Sequence, residues 1–190
     1  MSEKKEKKLK EGKIFESCIA SSCPSHIWVK KLADNASSWS NGTKSIFATS
    51  NECDYIMHDE NSGILYGLEL KSTKEKHFTF WREDFEKECK ERGKQTHYMI
   101  GKKQIKGLEK WSDNHKGVFG FILNFRNEDN DTFFVSITDF LDYTNQLEKP
   151  RFQLEDVIAM KAIRIGSKKL KTNYRYDMEN FFLQMTEVKE

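Results

Sequence analysis

The chain has 190 residues, 37% hydrophobic and 33% charged, which suits one domain with a real core and excludes a disordered polymer. A net charge of +2 says little about partners, and no apolar run approaches the ~20 residues that span a membrane. The Lys/Glu-rich opening has no apolar centre of the kind a secretory signal needs, so a cytoplasmic protein, in a bacterium or a phage-infected cell, is expected.

Residues 1–10 read as a mobile lead-in of mixed charge, and residues 11–190 as a single domain. The spacing of Ile14, Phe15, Cys18 and Ile19 predicts a helix over Glu11 to Ala20, ended by the stretch before Pro24. Glu16 lies on that helix. His26 to Leu32 is a short apolar-basic segment of no assigned type. Ala33 to Thr43 is a polar loop, and Lys44 to Thr49 a candidate strand. The four cysteines, Cys18, Cys23, Cys53 and Cys89, have no zinc-site spacing and read as reduced thiols.

A hairpin follows. Cys53 to Met57 and Ile64 to Lys71 are rich in apolar and aromatic residues, with Asp59-Glu60-Asn61-Ser62-Gly63 between them. A type I turn centred on Asn61 and Ser62 puts Gly63 in its fourth position and sets Asp54 opposite Glu69. Directly opposed residues share a face, and Lys71, two residues on, lies there too. Two carboxylates about 4 Å apart, at an effective dielectric of about 20, repel by on the order of 4 kcal/mol. A divalent cation relieves that repulsion well, because Mg²⁺ is held by one or two carboxylates plus waters and phosphates. A surface hairpin with solvated charges is the plain alternative.

Beyond the hairpin, Phe78 to Trp81 is aromatic and Arg82 to Lys94 is plausibly helical. Met99 to Trp111 has helical spacing, with Ile100, Ile105, Leu108 and Trp111 on a packed face and Gln104 close to it. Gly117 to Phe125 reads as a central strand and Thr132 to Ile137 as its return strand. Thr138 or Asp139 can cap a helix through about Leu147. Gln153 to Met160 is helix or irregular, and Asp177 to Met185 a last helix. Residues 157–176 carry Lys161, Arg164, Lys168, Lys169, Lys171 and Arg175 and no acid, a composition that suits phosphates. The order of elements predicts a mixed α/β domain, a mixed sheet flanked by helices.

A helical Glu, an Asp, then Glu-x-Lys on the next strand resembles the PD-(D/E)XK nuclease superfamily with its restriction-endonuclease-like core. Gly12-Lys13-Ile14-Phe15-Glu16, Cys53-Asp54-Tyr55, Leu68-Glu69-Leu70-Lys71-Ser72-Thr73-Lys74 and Gln104-Ile105 are similar to motifs of RecU-type Holliday junction resolvases. Gly117 to Phe125 and Phe133 to Phe140 resemble their apolar strand pair, so the likeness covers roughly residues 12–143.

The resemblance implies a metal-dependent endodeoxyribonuclease of DNA recombination and repair. Asp54, Glu69 and the Leu70 carbonyl would bind Mg²⁺, with Mn²⁺ able to substitute, and Glu16 would complete the carboxylate cluster. Lys71 would orient or deprotonate the attacking water, and Gln104 would position the cluster. Thr73, Lys74, Lys103, Lys106, Lys168, Lys169, Lys171 and Arg175 would meet branched or duplex DNA. A homodimer would suit symmetric cutting of a junction. Three features depart from the pattern. Cys53 replaces a proline, and Lys103 replaces a histidine. The family's long stalk shrinks to Asn35 to Glu52, a largely polar stretch whose aromatic residues are Trp39 and Phe47. A restriction-like or general DNA nuclease, and a catalytically inactive DNA-binding accessory protein, are the alternative expectations.

Overall fold

The first helix, α1 (Glu11–Ser21), buries Phe15, Cys18 and Ile19 along one stripe, as its apolar spacing requires. The Ser21 and Ser22 hydroxyls both donate to the Cys18 carbonyl, at 3.1 and 2.7 Å, and the chain turns at Pro24. This computed structural model describes residues 11–32 and 51–187. The lead-in at 1–10, the loop at 33–43 with Trp39, and the strand expected at 44–49 with Phe47 lie outside the described residues.

The segment of no assigned type forms β1 (Ile27–Lys31), which pairs antiparallel with β2 (Tyr55–Asp59) from Ile27 opposite Asp59 to Lys31 opposite Tyr55. Next, β2 pairs with β3 (Leu65–Thr73) in the register expected from the sequence, Tyr55 opposite Leu68 and His58 opposite Leu65. The turn is wider than a type I turn centred on Asn61 and Ser62. The Gly63 N–H donates to the Asp59 carbonyl at 2.8 Å, and Gly63 takes a φ of 69°, a conformation glycine adopts without strain. The Asp59 carboxylate accepts from Asn61 N at 2.9 Å and from Ser62 Oγ at 2.6 Å.

Then come β4 (His77–Thr79), α2 (Glu83–Glu91), α3 (Lys102–Asn114), β5 (Val118–Phe125), β6 (Asp131–Ser136) and α4 (Ile137–Thr144). The chain finishes with β7 (Arg151–Gln153), α5 (Leu154–Ala159), β8 (Ile163–Arg164), β9 (Ser167–Lys169), β10 (Tyr174–Tyr176) and α6 (Met178–Glu187). Two expectations need correction. Ile100 precedes α3 and forms a parallel bridge with Phe80, so only Ile105, Leu108 and Trp111 form the helix's packed stripe. The cap of α4 is Ser136, whose hydroxyl accepts from Asp139 N at 3.0 Å, which puts Thr138 and Asp139 inside the first turn.

Six strands form a mixed sheet in the order β1-β2-β3-β5-β6-β8. Strands β3 and β5 run parallel, joined by a crossover through α2 and α3, and the other neighbours are antiparallel. Every residue of β5 is buried, which explains its unbroken apolar run. One face packs Tyr66, Leu68, Leu70, Ile122 and Phe134 against α1 and α6. The other packs Phe119, Phe121, Leu123 and Val135 against α3, α4 and α5. The fold is therefore mixed α/β, a mixed sheet flanked by helices. Among the described residues no helix is long and apolar enough to cross a membrane.

Candidate active site

The pleat of β3 sends Tyr66, Leu68 and Leu70 toward α1 and α6, and Gly67, Glu69 and Lys71 toward α3. Glu69 is thereby 2% exposed, an unusual place for an acid unless it is paired. Asp54 stands one residue before β2. Its N–H donates at 3.1 Å to the carbonyl of Leu68, already the ladder partner of Tyr55, so the pairing bulges at Asp54 and the expected one-to-one opposition of Asp54 and Glu69 stops at Tyr55. The Asp54 carboxylate accepts the Leu70 N–H at 2.8 Å. Leu70's carbonyl leaves the strand on that same side, beyond the point where β2 stops pairing.

Glu69 is held from two directions. Lys71 Nζ lies 2.9 Å from Oε1, and Gln104 Nε2 donates to the same oxygen. The Gln104 carbonyl oxygen accepts the Gly101 N–H at 2.9 Å, which fixes the amide so that its donor end faces Glu69. Gln104 is thus both part of the α3 N-terminus and a clamp on the strand. Burial pushes the Glu69 carboxyl up to about 7; Lys71 pulls it down and Asp54 pushes it up. Burial also raises Asp54, against the Leu70 N–H and Lys71, which lower it, while Glu16 raises it further. Cys53 is buried beside the pair, donating to the Tyr55 carbonyl at 3.3 Å. Burial first, then the charges of Glu69 and Asp54, push its thiol up to about 12, which keeps it neutral. All four cysteines are free.

Glu16 reaches this neighbourhood from α1, but its carboxylate is directed to Lys31, with Nζ 2.5 Å from Oε2. Lys31 also sits 5.7 Å above the Tyr55 ring and lowers the Asp54 pKa. Sequence reasoning missed Lys31. The signal was its pairing opposite Tyr55, next to Asp54, which is invisible until β1 is known to be a strand. Among the described residues no three His, Cys, Asp or Glu side chains stand together as a group that could hold a metal ion. Asp54 and Glu69 nevertheless fit a hard divalent cation. They are neighbouring oxygen donors whose neutral forms are favoured by burial, that of Glu69 also by the charge of Asp54, and Mg²⁺ needs only one or two carboxylates.

The remaining candidates are dispersed. Thr73 is buried and its hydroxyl accepts the Glu75 N–H at 2.9 Å, so it serves the turn after β3. Lys74 and Lys103 are exposed, and Lys106 is paired with Glu109 at 2.7 Å. Lys168, Lys169, Lys171 and Arg175 are all exposed, on the hairpin of β9 and β10. Asp54, Glu69, Leu70, Lys71 and Gln104 thus come together, Glu16 stands alongside, and the basic residues lie apart.

No family profile matches the chain. It is similar to the SPbeta prophage-derived uncharacterized protein YotM of Bacillus subtilis (strain 168), with 34% identity over 87 residues. That match takes in 46% of this chain and 37% of YotM, so the chain spans well under half of that relative's length.

Proposed function

We propose that the protein is a magnesium-dependent DNA endonuclease with a PD-(D/E)XK, restriction-endonuclease-like core, and that branched DNA of the Holliday-junction kind is its substrate. The observation that carries this reading is the half-buried Asp54 acting on the buried Glu69 carboxylate, with Lys71 and Gln104 both on Glu69 Oε1. A carboxylate pair with a lysine on the same sheet face is what metal-assisted phosphodiester hydrolysis asks of a protein. Asp54, Glu69 and the Leu70 carbonyl would hold Mg²⁺ or Mn²⁺, with Glu16 as the further carboxylate. Bound there, the ion would neutralise phosphate charge and lower the pKa of an attacking water.

The chain's own groups do the rest. Lys71 favours the ionised form of Glu69 and presents a cation to a water or a phosphate oxygen. Gln104 fixes the carboxylate's orientation from α3. In-line attack by water breaks the bond to the 3′ oxygen and leaves 5′-phosphate and 3′-hydroxyl ends. A homodimer would bring two such sites to the two strands of a junction. The prophage origin of the Bacillus subtilis relative suits a phage-borne recombination nuclease.

The test uses purified protein with labelled four-way junction, linear duplex and single strand, in Mg²⁺ or EDTA. Metal-dependent cutting of the junction is expected, and no metal-dependent cutting of any DNA overturns the proposal. Equal cutting of junction and linear duplex makes the enzyme a restriction-like or general nuclease. Glu69→Ala and Lys71→Ala should each lose cutting and keep binding; loss of both together would reassign their roles.

A further inference from the structure

The β9–β10 hairpin is a separate two-stranded piece with an unusual charge arrangement. Lys168 lies directly opposite Arg175 in its ladder, and like charges so opposed are destabilising. Among the described residues neither of them, nor Lys169 or Lys171, has an acidic partner within ion-pair distance. Other exposed cations among the described residues, Lys74 and Lys103 included, also lack such a partner, so it is the opposition within the ladder that sets the hairpin apart from paired cations elsewhere. On α2, Lys87, Lys90 and Arg92 pair with Glu83, Glu86 and Glu88 at 2.9, 3.2 and 2.6 Å. Arg164, just before the hairpin, pairs with Asp131 at 2.5 Å. At the tip, where the Leu170 N–H donates to the Asn173 carbonyl at 2.7 Å, Leu170 is 49% exposed between Lys169 and Lys171.

The base of the hairpin is as firmly held as its tip is bare. Asn130 Nδ2 donates to Ser167 Oγ at 3.1 Å and to the Tyr176 hydroxyl at 3.3 Å. Asn124 Nδ2 donates to Asn130 Oδ1 at 3.0 Å, and Ser72 Oγ donates to Asn124 Oδ1 at 2.7 Å. That chain of bonds ends on the residue after Lys71. Tyr176 N also donates to Ser22 Oγ at 3.0 Å, and the Tyr176 ring meets Phe15, the neighbour of Glu16, edge-on at 5.5 Å. The hairpin is therefore registered against both β3 and α1, the elements that carry the candidate site.

We propose that this hairpin is a DNA-docking arm: Lys168, Lys169, Lys171 and Arg175 hold backbone phosphates, and Leu170 packs against bases unstacked at a branch point. The proposal rests on the nuclease reading above. Phosphates remove the repulsion between Lys168 and Arg175, and apolar wedges inserted at base steps are a recurrent way of engaging deformed DNA. One leucine offers too little apolar area to hold a membrane surface by itself.

The experiment measures fluorescence anisotropy of labelled four-way junction and linear duplex with the full chain in EDTA, over a salt series. Lys168→Gln with Arg175→Gln should weaken binding to both DNAs and make the salt dependence shallower by up to about 0.9 per lost cation. Leu170→Ser should weaken junction binding several-fold and leave linear duplex unchanged. Relief of the repulsion should leave the double variant melting at or slightly above the parent, Leu170→Ser should melt with the parent, and Lys168→Arg should retain affinity. Unchanged affinity and salt slope in the double variant overturns the arm. Equal effects of Leu170→Ser on the two DNAs overturns its role at branches. Tighter binding of phosphatidylserine vesicles than of DNA overturns the partner. If the parent cleaves DNA and only the hairpin variants behave as parent, the arm fails and the nuclease stands; if the parent binds no DNA, both fail.

Discussion

Glu69 is the acid that the pleat of β3 turns into the protein, and burial there favours its protonated form. Its ordinary pKa of 4.5 is pushed up to about 7 by burial, ahead of the opposing effect of Lys71. The unfolded chain therefore gives up this proton at lower pH than the folded protein does. As pH rises from about 4.5 to about 7 the folded state holds more protons, so stability falls through that window and levels above it. Asp54, also raised, adds in the same direction. Metal-free protein should melt at progressively lower temperature across this range. Glu69→Gln should flatten the decline and melt above the parent at pH 8, where the parent carries a buried charge. Mg²⁺ should raise the parent's melting temperature and leave the variant's unchanged. A flat parent profile in differential scanning calorimetry would show that Glu69 is better solvated than its burial indicates.

At the level of elements, boundaries follow from which backbone groups already have partners. Helix α4 starts at Ser136 because Ser136, opposite Gly120, is the last residue of the β6 ladder with β5. There the strand's hydrogen bonds stop and the helix's orphan N–H groups begin, so Ser136 Oγ takes Asp139 N. Thr138 and Asp139 are equally good capping residues by type, which is why composition points two or three residues too late. Ser136→Ala should cost about 1 kcal/mol, read from the urea midpoint. Thr138→Ala should cost much less, and the reverse order would return the cap to Thr138. Strand β1 makes the same point. Its Ile-Trp-Val-Lys-Lys sequence is ambiguous alone, and becomes a strand through its five-residue pairing with β2.

Across the whole molecule, the aromatic residues knit the α3 and α4 side into one packed body. Phe140 lies 4.8 Å from Phe121, 5.7 Å from Phe80 and 5.9 Å from Phe152, ring centre to ring centre. It joins α4 to β5, to the bridge residue Phe80 and to β7. Phe140→Ala should cost about 3–5 kcal/mol, a large share of a typical domain's stability. Denaturant titration measures that loss. Because the ring partners of Phe140 are core phenylalanines and not site residues, cleavage per folded molecule at low temperature should stay near the parent's; a loss exceeding the folded fraction would show that this core also sets the position of Gln104.

Local spacing carries α1, α3, the central strand β5 and the hairpin register, because each depends on neighbours within the same short stretch. Counting residues around one turn gives the register of Tyr55 to His58 against Leu65 to Leu68, which the structure has, whereas Asp54, whose N–H goes to the Leu68 carbonyl, leaves that register just where it nears Glu69. Tertiary structure decided what no count of residues could. It brought Lys31 onto Glu16 through the pairing of β1, aimed Gln104 at Glu69 through its bond to Gly101, and gave the Thr73 hydroxyl to a turn. It also separated the basic run into one paired arginine and a hairpin of bare cations anchored beside β3 and α1. The physical reason is the range of the forces involved. Backbone periodicity acts over a few residues and is written locally, whereas partners for charge and hydrogen bonding are set by which distant segments the packed sheet brings within about 3 Å of one another.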